Sequence, residues 1–64
     1  MQDIGEPSNF TKQVRRTRQR LINRYGEQSL QVAAFDIEER SHDRRTLTTI
    51  MATINMRLDC EVRS

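Results

Sequence analysis

The sequence predicts an α+β domain. An N-terminal amphipathic basic helix packs on a two-stranded antiparallel hairpin, whose sheet is completed by oligomerisation. Three observations lead there. Phe10, Val14, Thr17, Leu21 and Tyr25 recur at helical spacing, and at about 100° per residue they fall within a stripe roughly 80° wide. The even positions from Ile50 to Val62 are all apolar, and among the odd ones only Met51 is. Finally, a chain of 64 residues buries only about 60% of the surface that its unfolded form exposes, so its core needs a supplement. An all-α arrangement of three short helices is the alternative.

Residues 1–8 read as a flexible lead, since Gly5 and Pro7 interrupt any regular element. Residues 9–64 form one small domain. Ser8 or Asn9 caps the first helix through a short polar side chain. The helix runs to Tyr25, and Gly26 stands where a positive-φ residue commonly ends one.

The segment from Ser29 to Glu38 reads as the first strand. Leu30, Val32 and Ala34 share one parity, whereas Phe35 and Ile37 share the other. A β-bulge with Met51 as the extra residue returns both sets to a common face. Residues 40–45 are polar and suit the hairpin loop. The second strand spans 50–62, with the threonine-rich lead Thr46-Leu47-Thr48-Thr49 also favouring β structure. The rival helical reading of this segment gathers Leu47, Ile50, Met51, Ile54 and Leu58 into one stripe. A lone hairpin is marginal and leaves both edges unpaired, so a homodimer or larger ring joined partly by strand pairing is expected.

Charge divides the chain. Between Pro7 and Gly26 there are six basic residues and no acid, whereas from Glu27 onward seven acids face five arginines. Lys12, Arg16, Arg20 and Arg24 form an i, i+4 row with Arg15 at its flank, and Arg44 and Arg45 add a second cluster beside Arg40. Arginine forks suit phosphate oxygens. The row therefore predicts a small basic homo-oligomeric regulator that lies along a DNA or RNA backbone. The alternative is an interaction module or inhibitor that docks its basic helix, or a strand edge, on an acidic protein. Phe10, Tyr25 and Phe35 are all taken up by the core in this reading, which leaves no stacking platform for single strands.

No cofactor, metal or catalytic residue is expected. His42 beside Asp43 lacks the fixed geometry that a general base needs. Asp36 and Glu38 read as a hydrated face rather than a divalent-cation site, and Cys60 as a small buried hydrophobe. One cysteine excludes an intrachain disulfide and fits a reducing compartment. With no secretory-type start and no apolar run of about 20 residues, a cytoplasmic protein without membrane contact is expected.

Overall fold

The computed structural model describes residues 8–63. Of the expected N-terminal lead, all but Ser8 lies outside the described residues. Three helices follow in order: α1 over Asn9–Tyr25, α2 over Leu30–Ser41 and α3 over Arg44–Arg63.

Helix α1 matches the expectation at both ends. The Ser8 side chain accepts a hydrogen bond from the Thr11 amide at 3.2 Å, satisfying one of the donors that a helix start leaves orphaned. Gly26 closes the helix at φ 102°, its amide donating to the Ile22 carbonyl at 2.8 Å. A Cβ at that φ is strained even though the space around it is empty.

The hairpin is absent, and with it the α+β fold. Both segments expected to be strands are helices, so the chain is all-α over the described residues. The physical reason is a degeneracy in the pattern. Ile50, Ile54 and Leu58 are spaced by four, which is an even number and also close to one helical turn, so they satisfy both readings. The odd residues Leu47 and Met51 decide it. They are 1% and 3% exposed, whereas the even Ala52, Met56, Cys60 and Val62 face outward. Cys60 is thus exposed rather than buried, and Met51 belongs to the core instead of forming a bulge. In α2 the parity break is resolved the same way, with Val32 and Phe35 buried three residues apart.

Local chemistry supports these helices. The Val32 amide donates to Ser29 Oγ at 3.3 Å, and the Thr46 amide to Asp43 Oδ1 at 2.9 Å. That bond holds the Asp43 carboxyl below the usual carboxylate range. The threonines that favour β structure are accommodated by back-bonding. Thr48, Thr49 and Thr53 donate their hydroxyls to the carbonyls of Arg44, Arg45 and Thr49. What was expected as the tip of a hairpin, residues 40–45, is instead the end of α2, a two-residue turn at His42 and Asp43, and the first residues of α3.

All three helices feed one core, comprising Val14 and Leu21 of α1, Val32 and Phe35 of α2, and Leu47, Met51 and Leu58 of α3. Helix α1 packs against both others. Phe10 meets Arg44, Thr17 meets Asn55 and Arg24 meets Glu61, so α1 and α3 run in the same direction. The short turns at each end make α2 antiparallel to both. With no strand among the described residues, the expected assembly by strand pairing has no edge to use.

Candidate functional site

The i, i+4 row on α1 is not a straight line of charge. An α-helix turns about 100° per residue, so each step of four residues drifts about 40° around the axis. Over the three steps from Lys12 to Arg24 the row winds by about 120°, from the solvent side onto the seam with α3. Its members therefore meet different surroundings.

At the C-terminal end the cations are engaged within the chain. Arg20 donates from one guanidinium nitrogen to Asn55 Oδ1 at 2.7 Å and from the other to Asp59 Oδ1 at 2.6 Å. Arg24 Nε reaches Glu61 Oε1 at 3.1 Å, and the Tyr25 hydroxyl donates to the same oxygen at 2.9 Å. Donation to a carboxylate favours the protonated phenol, so Tyr25 titrates above its ordinary value. On the opposite flank of α1, Arg18 donates through Nε and a terminal nitrogen to the two oxygens of Asp36, at 2.9 and 3.4 Å. This bidentate fork lowers the Asp36 pKa and raises that of Arg18. Asp36 is thus an ion-pair partner rather than part of a purely hydrated face.

The N-terminal end is different. Lys12, Arg15 and Arg16 are exposed and form no ion pair among the described residues. Because α1 and α3 run parallel, the start of α3 lies beside them. The Arg44 guanidinium sits 5.0 Å from the centroid of the Phe10 ring, a cation–π arrangement. Arg45 is exposed in the next position. The seven cations expected from the sequence therefore divide. Lys12, Arg15, Arg16, Arg44 and Arg45 remain open at one end of the bundle, whereas Arg20 and Arg24 are drawn into the α1–α3 seam.

Two features had little or no signal in the sequence. The first is a buried polar relay. Thr17 is only 2% exposed, and its hydroxyl accepts from Asn55 Nδ2 at 3.0 Å, the same nitrogen donating to the Met51 carbonyl at 2.9 Å. Asn55 Oδ1 then receives Arg20, so the Asn55 amide ties Thr17 and Arg20 of α1 to the backbone of α3. The second is an open groove of about 400 Å³ between α2 and α3, lined by Ala34, Phe35, Ile50, Ile54 and Leu58 with Glu38 and Arg57 among its polar residues. A second apolar stripe on α2 (Leu30, Ala34, Ile37) could have been read from its spacing of four and three, once the segment is taken as a helix.

No described helix is long and apolar enough to cross a membrane. Comparison of the chain with protein-family models, with curated proteins and with solved structures finds no match.

Proposed function

We propose that this chain is a non-catalytic protein-interaction module, which docks the cationic end formed by Lys12, Arg15, Arg16, Arg44 and Arg45 on an acidic surface of a partner protein. The supporting observation is the in-chain pairing of Arg18, Arg20 and Arg24 with Asp36, Asp59 and Glu61. It reduces a row long enough to follow several phosphates to a compact cluster. A duplex binder gains affinity with each phosphate neutralised along its backbone, whereas a protein's acidic patch is matched by a cluster of this size. Homo-oligomerisation and residence in the cytoplasm belong to the same proposal; the second rests on the single-cysteine composition.

Fluorescence anisotropy against an acidic glutamate-rich peptide and against random duplex DNA and RNA, at about 150 mM salt, tests this reading. The peptide should bind, and Lys12→Ala/Arg16→Ala should weaken it by about tenfold, or ~1.4 kcal/mol. Binding of random duplexes with a log–log salt slope near about −4, and no preference for the peptide, would instead restore the nucleic-acid reading.

A further inference from the structure

Helix α2 is apolar on two sides. Val32 and Phe35 face the core. Ala34 lines the α2–α3 groove, and beyond it on the same helix Leu30 and Ile37 are 85% and 60% exposed. On a chain whose core is small, this second stripe has no occupant among the described residues. The groove is also electrically two-ended. Helices α2 and α3 are joined by a short turn, so Glu38 lies towards the turn and Arg57 at the far end, with Ala34 between them on α2. Arg57 forms no ion pair among the described residues. Glu38 meets His42 Nε2 one turn away at 2.8 Å and forms no pair with a lysine or arginine among the described residues.

We infer that the occupant of this groove is a second copy of the chain, packed antiparallel about a two-fold axis passing near Ala34. A rotation perpendicular to the groove exchanges its ends, so that Glu38 of each copy meets Arg57 of the partner subunit, and the two pairs form together. The parallel alternative sets like charges against each other. Ala34 is the smallest member of the stripe and stands at the crossing point, where it lets two α2 helices approach closely. Leu30 and Ile37 on either side enter the partner's groove beside Ile50 and Ile54. The interface has an apolar centre and a charged rim, as protein interfaces do. The outward face of α1, with Lys12 and Arg16, stays open on the other side of the bundle, so the dimer presents two cationic ends. This deepens the self-association in the proposed function, and does not depend on docking of the acidic partner.

Sedimentation equilibrium of the full chain, with circular dichroism to verify helicity, tests it. The wild type should be dimeric. Ala34→Glu and, separately, Ile37→Glu should be helical monomers, both positions being exposed in the single chain. Glu38→Arg and Arg57→Glu should each weaken the dimer by about tenfold, and the double exchange should restore it. A monomeric wild type would overturn self-association itself. A dimer that survives both glutamates would overturn this surface alone, and a double exchange no better than either single one would overturn the antiparallel arrangement.

Discussion

The two halves of α1 carry the same kind of side chain and use it differently. In the C-terminal half, Arg18, Arg20 and Arg24 are tied to acids of α2 and α3; in the N-terminal half, Lys12, Arg15 and Arg16 are open. The acids are not distributed evenly. Asp59 and Glu61 stand near the end of α3, and the parallel α1–α3 packing brings that end beside Arg20 and Arg24. The start of α3 is Arg44-Arg45, and it lies beside Lys12 and Arg16. Parallel packing therefore pairs α1 arginines with acids at one end of the α1–α3 seam and sets cations beside cations at the other. A count of arginines on a helix says little about binding until the neighbouring helix and its direction are known.

Breaking the α1–α3 seam where the two halves of α1 meet should have the largest effect. Asn55→Ala removes the donor to Thr17 and the acceptor of Arg20 together. It should cost about 2 kcal/mol, as expected when buried polar groups lose their partners, read as a lower urea midpoint with unchanged slope. Next comes a direct comparison of two arginines one turn apart. Arg20→Ala should cost about 1 kcal/mol; the figure is modest because its side chain is 34% exposed and solvent screens the pair. Arg16→Ala should stay within about 0.5 kcal/mol while weakening binding of the acidic peptide. Equal stability losses from both would erase the distinction between the halves.

The smallest effect is on pH dependence. Asp36 and Asp43 both titrate below the ordinary range, the first because Arg18 bonds its carboxylate and the second because the Thr46 amide does. Their contributions are fully present above the unfolded carboxylate value near about pH 4, and are lost as pH falls through the lower folded values. Thermal midpoints should therefore decline below about pH 4. Asp36→Asn should flatten part of that decline, and a slope unchanged by it would remove Arg18–Asp36 as a contributor.

The sequence by itself determined α1. Its stripe, its Ser8 cap and its Gly26 terminus are local properties, read from spacing and from the φ that each residue tolerates. It also determined that positive charge gathers early in the chain and acids late. It did not decide α3, because Ile50, Ile54 and Leu58 satisfy a strand and a helix equally. Only burial of the odd residues Leu47 and Met51 against α1 and α2 separates the two. The caps at Ser29 and Asp43 were not legible as such, since serine and aspartate open loops as readily as helices. The fate of each arginine was decided by tertiary structure alone. Whether a guanidinium meets a carboxylate or water depends on which residue of another helix stands opposite it, and helix direction sets that.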